Sequence, residues 1–198
     1  MNISILAIHW KRKTVMSPYP EQYEMETTTS GEVNIFVRPI KPEDAPLLVE
    51  LFNTLSSRSI YYRFFGPMKR LPPDMLARFT QIDYDRDMAL VVFAVEDGKV
   101  LGKILGVSRL FRDSDGKIAE FSVVVSDPWQ GKGIGAALME KLIGIAKEQG
   151  VEYLWGIVLA ENTQMLALGK SLGFTISRAG LSNQYKLGID LKSISQVM

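Results

Sequence analysis

The stretch that decides the fold runs from Ala119 to Ala136 and reads AEFSVVVSDPWQGKGIGA. Its first half is apolar and rich in valine, which is typical of a buried strand. Its second half places Gly131, Gly133 and Gly135 directly before a segment of helical periodicity. Glycine lets the backbone approach a ligand closely, and a helix start offers unpaired N–H groups at a positive dipole end. The pattern favours a phosphate or diphosphate site; the alternative is a tight turn without a ligand.

The sequence around this stretch predicts an antiparallel meander before it and two strand–helix units after it. Strands are expected at 34–39, 88–95, 99–111, 118–125, 151–159, 174–178 and 184–191, and helices after residue 41 and at 57–65, 73–81, 133–149 and 162–172. These elements predict an α/β (α+β) fold: a mixed, mostly antiparallel sheet of six to seven strands with helices on both faces. Residues 1–33 are predicted to be an extension or linker, and 34–198 the folded domain.

Composition excludes several kinds of chemistry. The 198 residues include no cysteine and a single histidine, His9, which lies in the predicted extension. A disulfide, a thiolate zinc site and a cysteine nucleophile are therefore impossible. A Ser-His-Asp triad or a histidine-rich metal site would depend on His9 alone, so we expect no metal site.

The charge balance is also informative, because 23 basic and 22 acidic side chains give a formal net charge of +1. No global field favours nucleic acid. No apolar stretch approaches the ~20 residues of a membrane span. We therefore expect a cytoplasmic protein, a monomer or homodimer, that binds neither nucleic acid nor membranes.

The segment Gly131–Ala136 also fits the G-x-G-x-x-A fingerprint of dinucleotide-binding proteins. Its context differs, because residues 126–130 separate the glycines from the strand and antiparallel strands precede it. Glu152 starts its strand, whereas a ribose-binding acid should end one. A phosphate-binding P-loop is excluded, since no Gly-Lys-Ser/Thr follows. A nicotinamide-dinucleotide enzyme is kept as an alternative from a different class.

Two motifs give a more specific indication. The segment Gln130–Gly135 resembles the Q/R-x-x-G-x-G/A signature of the GNAT acetyltransferases, and Asn162 to Phe174 resembles that family's second motif, an asparagine-led helix ending in Leu-Gly-Phe. Further segments are similar to the GNAT domain of bacterial protein-lysine acetyltransferases: Arg38–Asp44, Ser59–Gly66, Asp83–Asp85 and Ala119–Phe121. The resemblance covers roughly residues 34–191.

This resemblance implies acetyl-CoA, or another acyl-CoA, as donor. The diphosphate would be held by backbone N–H groups of Gln130, Gly131, Lys132, Gly133, Ile134, Gly135 and Ala136. The pantetheine amides would pair with Val123, Val124 and Val125 as an added strand would. Asn162 would contact the cofactor or its bound water; capping the following helix is an equally reasonable role.

Glu120 is the candidate general base, because it interrupts the apolar strand 118–125 and a lysine amine must lose a proton before it can attack. Alternation places Glu120 on one strand face with Ser122 and Val124. The resemblance implies the same role, while the alternative is a cross-strand charge pair. Asp127 and Glu161 are weaker candidates.

The departing thiolate has no obvious acid. Many GNAT enzymes carry a tyrosine seven residues after the motif asparagine, where this sequence has Gly169. A thiol pKa near ~8.5 lets a thiolate leave largely unaided; Tyr185 is a possible substitute. The aromatic segment 61–65 is expected to be mostly core, with one or two residues at the acceptor entrance.

The sequence thus predicts an N-acetyltransferase that moves an acetyl group from acetyl-CoA to a primary amine, by direct attack. A protein lysine is the preferred acceptor and a small amine or polyamine the next. A CoA-binding sensor module without turnover is the alternative from another class.

Overall fold

The computed structural model describes residues 17–180 and 183–192, so His9 lies outside the described residues. An eight-stranded sheet carries five α-helices. The strands are β1 (Met25–Thr28), β2 (Asn34–Pro39), β3 (Asp87–Glu96), β4 (Lys99–Arg112), β5 (Ile118–Val125), β6 (Tyr153–Leu159), β7 (Thr175–Arg178) and β8 (Gln184–Asp190). The helices are α1 (Ala45–Asn53), α2 (Ser57–Phe64), α3 (Pro73–Thr80), α4 (Ile134–Glu148) and α5 (Thr163–Ser171).

The strand order is β1-β2-β3-β4-β5-β6-β8-β7, and every neighbouring pair is antiparallel except β5 and β6. The predicted fold class is confirmed. The sheet has one strand more than the predicted maximum, because Met25–Thr28 pairs with β2 in the register Met25↔Val37. That strand lies within the segment predicted as an extension; its threonines carry β propensity, and pairing with β2 supplies the missing context.

Helices cover both faces of the sheet, as predicted. On one face, α4 buries Ile134, Leu138, Leu142 and Ile145, each at most 1% exposed, at the i, i+4, i+8 and i+11 positions of one helical stripe. On the other face, α1 and α3 bury Leu48, Leu51 and Phe79. The central strand β3 is consequently buried on both sides, which explains its continuous apolar sequence.

The parallel pair β5–β6 separates after a short contact. Its register covers only Ile118↔Tyr153 to Glu120↔Trp155, after which β5 pairs with β4 alone and β6 with β8 alone. Phe121 is the first residue past the last pair, and its ring packs against Gly156, where an added Cβ would lie 2.9 Å from two ring atoms. The ring therefore fills the space beside Gly156 where the strands diverge, and we refer to it as the wedge.

Candidate functional site

The diverging strands open a cleft of about 600 Å³. Its walls come from α2 and its C-cap, the second half of β5, β6, α5 and the glycine-rich segment 130–136, which we call the glycine turn. The lining residues include Arg58, Ser59, Tyr62, Arg63, Phe65, Glu120, Phe121, Ser122, Val123, Val124, Val125, Gln130, Gly131, Gly133, Gly135, Ala136, Ile157, Val158, Glu161, Asn162, Thr163, Gln164, Met165, Ala167 and Leu168. The structure thus brings together ten of the twelve predicted site residues; Lys132 and Ile134 do not line the cleft.

The glycine turn presents a row of unsatisfied backbone donors. Within the described chain, the N–H groups from Gly131 to Ala136 form no backbone hydrogen bond, and the first bond of α4 runs from Ala137 N to Gly133 O at 3.0 Å. Gly131 and Gly133 have positive φ angles of 74° and 78°, a conformation that glycine adopts without strain. Donors of this kind at a helix N-terminus form an anion site.

The side chains of Gln130, Lys132 and Ile134 make contacts within the protein. Gln130 Nε2 donates to Val125 O at 3.0 Å and to Ser59 Oγ at 3.2 Å, which ties the turn to both β5 and α2. The Lys132 ammonium lies 4.7 Å from the ring centroid of Trp129, and the Ile134 side chain is 1% exposed in the core. Any contact of Ile134 with a ligand in the cleft is therefore restricted to the backbone.

The β5 edge beside the cleft is open from Phe121 to Val125, since among the described residues only β4 pairs with this half of the strand. Alternate backbone groups of an edge strand are free to pair with an extended ligand. The Val125 carbonyl is already used by Gln130. Val123, Val124 and Val125 also pack in the cores, so the valines carry both structural and potential binding roles.

Glu120 lines the cleft at the last paired position of β5 and β6. It is 8% exposed. The predicted alternation holds, because Val124 packs on the α1–α3 face whereas Phe121 and Val125 pack on the α4 face. The hydroxyl of Ser122 is buried without a hydrogen-bond partner in the described chain, and it lines the cleft on the Glu120 face.

Two buried arginines lie near one another, and one of them, Arg63, interacts electrostatically with Glu120. Burial lowers the pKa of Arg63 to about 10, and the negative charge of Glu120 opposes that shift. Burial and the charge of Arg63 lower the pKa of Arg109 to about 9. Arg109 donates to Phe79 O at 2.8 Å and lies opposite Ser122 in the sheet. Both guanidinium groups remain protonated at neutral pH, and the positive charge of Arg63 attracts the carboxylate of Glu120.

Helix α2 forms one wall of the cleft. The Tyr62 hydroxyl donates to Glu161 O at 3.1 Å and joins α2 to the loop after β6. Phe65, at the C-cap of α2, is 37% exposed and borders the cavity. Three residues of the segment 61–65 line the cleft, namely Tyr62, Arg63 and Phe65, where one or two were expected. Sequence reasoning missed Arg58, whose basic side chain gave no motif.

Asn162 caps α5, because its Oδ1 accepts from Met165 N at 3.1 Å, and it also lines the cleft. Gly169 is buried, and an added Cβ would overlap the side chain of Leu187. Tyr185, on β8, pairs with Val158 of β6 and does not line the cavity. Neither Gly169 nor Tyr185 places a hydroxyl in the cleft.

Residues 17–180 and 183–192 contain no cluster of three or more potential metal ligands. None of the helices within those ranges has the length and apolar character needed to cross a membrane.

Comparison with known proteins identifies the family. Residues 55–174 match the sequence profile of the acetyltransferase (GNAT) family. Acetyltransferase PA5475 of Pseudomonas aeruginosa is 32% identical over 167 residues, which cover 84% of this chain and 88% of that protein. Acetyltransferase Pat of Mycolicibacterium smegmatis is 29% identical over 139 residues, which cover 70% of this chain but only 40% of Pat.

A solved structure supports the same assignment. The GNAT domain of S. lividans PAT superposes with a TM-score of 0.78 at 29% identity, covering 87% of this chain and 99% of that one. GNAT acetyltransferases use acetyl-CoA, which confirms the expected co-substrate. With its sheet, its diverging β5–β6 pair and its glycine turn, this chain belongs to the GNAT family of acetyltransferases.

Proposed function

We propose that the protein transfers an acetyl group from acetyl-CoA to the side-chain amine of a protein lysine, with Glu120 as general base. The observation that carries this proposal is the position of Glu120, a buried carboxylate at the point where β5 and β6 separate inside a cleft bordered by the glycine turn. Donor and acceptor can thus meet at one carboxylate.

The cleft fits a CoA thioester in three respects. The free N–H groups from Gly131 to Ala136 suit a diphosphate. The open edge of β5 suits the amides of pantetheine. The cavity of about 600 Å³ is within the range of cofactor sites. The thioester oxygen would then lie near Val123, whose backbone N–H would stabilise the charge that develops there.

Proton removal is the task of Glu120. A lysine amine has an unperturbed pKa of ~10.4 and arrives protonated. The ionised carboxylate accepts that proton directly or through a water, and the positive field of Arg63 further disfavours the ammonium form. The neutral amine attacks the thioester carbonyl carbon, and the bond to sulfur breaks. The thiolate leaves without a tyrosine acid, because Gly169 carries no side chain.

A protein lysine as the acceptor is supported by the similarity to Acetyltransferase Pat of Mycolicibacterium smegmatis and to the GNAT domain of S. lividans PAT. Another relative, the L-methionine sulfoximine/L-methionine sulfone acetyltransferase of Pseudomonas aeruginosa, is named for small substrates and is 32% identical over 109 residues. A small amine is therefore the second candidate acceptor. A non-catalytic CoA sensor is the remaining alternative, and the cytoplasmic location remains a prediction.

The direct test is acetyl transfer from acetyl-CoA to a panel of proteins and small amines, with the products identified by mass spectrometry. Glu120→Gln should lower kcat/KM at least about 100-fold, while the Kd for CoA, measured by calorimetry, changes less than about twofold. Glu140→Gln, an exposed residue of α4, is the matched control and should retain wild-type activity.

Each alternative has its own outcome in these assays. CoA binding without transfer to any acceptor would indicate a sensor. Modification of small amines alone would exclude the protein acceptor. A loss of activity in Glu161→Gln together with full activity in Glu120→Gln would show that Glu161, and not Glu120, is the general base. Tight binding of NADH without binding of acetyl-CoA would refute the assignment of acetyl-CoA as the donor.

A further inference from the structure

The tip of the β1–β2 hairpin, residues 29–33, lies against the glycine turn, although it precedes the part of the chain that matches the family profile. Thr29 Oγ1 donates to the Lys132 carbonyl at 2.7 Å. A Cβ added to Gly31 would lie 2.7 Å from the same oxygen, and one added to Gly133 would lie 2.5 Å from Ser30 Oγ. Each segment thus has a glycine where the other approaches.

The hydroxyl of Thr29 is held in a single orientation. Thr29 is 6% exposed. Its Oγ1 accepts from the N–H groups of Gly31 and Val33, each at 3.3 Å. A hydroxyl has one proton and two lone pairs, so both acceptor positions are occupied and the proton is committed to Lys132 O. The hairpin tip itself is closed by Thr29 N to Val33 O at 2.9 Å.

This hydrogen bond sets the direction of a neighbouring donor. The carbonyl of Lys132 and the N–H of Gly133 belong to one planar trans peptide and point in opposite directions. Anchoring the carbonyl on the hairpin therefore aims the Gly133 N–H away from the hairpin. Gly133 borders the cleft. Without the anchor, this peptide can rotate more freely, because the residue on its C-terminal side is Gly133.

We propose that Thr29 is a positioning residue for the donor: its hydroxyl fixes the Lys132–Gly133 peptide so that the Gly133 N–H receives the CoA diphosphate. The β1–β2 hairpin is then part of the acetyl-CoA site. This inference rests on the proposed function, which places the diphosphate at the glycine turn.

The test compares Thr29→Val, which removes the hydroxyl at nearly constant shape, with Thr29→Ser, which keeps it. In the full chain, Thr29→Val should raise the Kd for CoA and the KM for acetyl-CoA about tenfold, since the Gly133 N–H is no longer held toward the diphosphate and one hydrogen bond to a charged group weakens. The kcat at saturating donor should change less than about twofold. Thr29→Ser should remain within about threefold of the wild type in all three quantities.

A truncated donor separates positioning from general damage. S-acetylpantetheine has no diphosphate, so Thr29→Val and the wild type should use it with equal kcat/KM. Equal losses with both donors, or an unchanged Kd for CoA, would overturn the inference. Gly31→Ala is a second variant, should Thr29→Val not fold; it places a Cβ 2.7 Å from the same carbonyl oxygen, displaces that peptide and should also weaken CoA binding selectively. A wild type that binds no CoA would refute the proposed function instead.

Discussion

The wedge between β5 and β6 leads to a quantitative prediction for Gly156→Ala. The added Cβ would lie 2.9 Å from the Cε1 and Cζ atoms of Phe121. The ring has little room to move, because Phe121 is 5% exposed and its centroid lies 5.1 Å from that of Phe174. Overpacking of this kind costs about 1–3 kcal/mol. Removing a glycine from a strand returns about 0.5–1 kcal/mol.

The steric term should win, so Gly156→Ala should lose about 1–2 kcal/mol, which corresponds to a fall in Tm of about 2–8 °C for a chain of this size. Thermal unfolding by circular dichroism or calorimetry measures it. Phe121→Leu removes the ring atoms in question and is the matched background: there, adding Gly156→Ala should be neutral or stabilising. A Tm that is unchanged or raised in Gly156→Ala alone would refute the wedge.

Two further predictions concern the partly buried carboxylate of Asp87 and the general acid that is missing at Gly169. Burial raises the pKa of Asp87 to about 6, so its protonated form stabilises the fold below about pH 4, and this contribution is lost as the pH rises through 6. The free energy of unfolding of Asp87→Asn, measured by urea titration, should therefore rise relative to that of the wild type by up to about 3 kcal/mol between pH 4 and 6. A difference between the two proteins that stays constant over this pH range would contradict the shift. Gly169→Tyr should not introduce a general acid, because its Cβ overlaps Leu187; we expect a destabilisation of about 3 kcal/mol with no rise in kcat, whereas a stable variant with a raised kcat would contradict the packing.

Most of the fold followed from local patterns. The bounds of β5 agree with the prediction, and those of α4 differ by one residue at each end, because a valine-rich run and a helical stripe before Gly150 are strong local signals. The strand Met25–Thr28 was not predicted, since four residues with a half-exposed pattern form a strand only when β2 is present to pair with them.

The sequence by itself determined which residues could form the site: alternation on β5 directed Glu120 to one face, and the spacing of the glycines indicated unpaired donors before a helix. Only the tertiary structure decided that β5 and β6 part after Glu120 and Trp155, where a ring of one strand packs on a glycine of the other. It also decided that the Thr29 hydroxyl, far away in the chain, anchors the glycine turn. Contacts of this kind join distant segments and leave no periodic trace in either one.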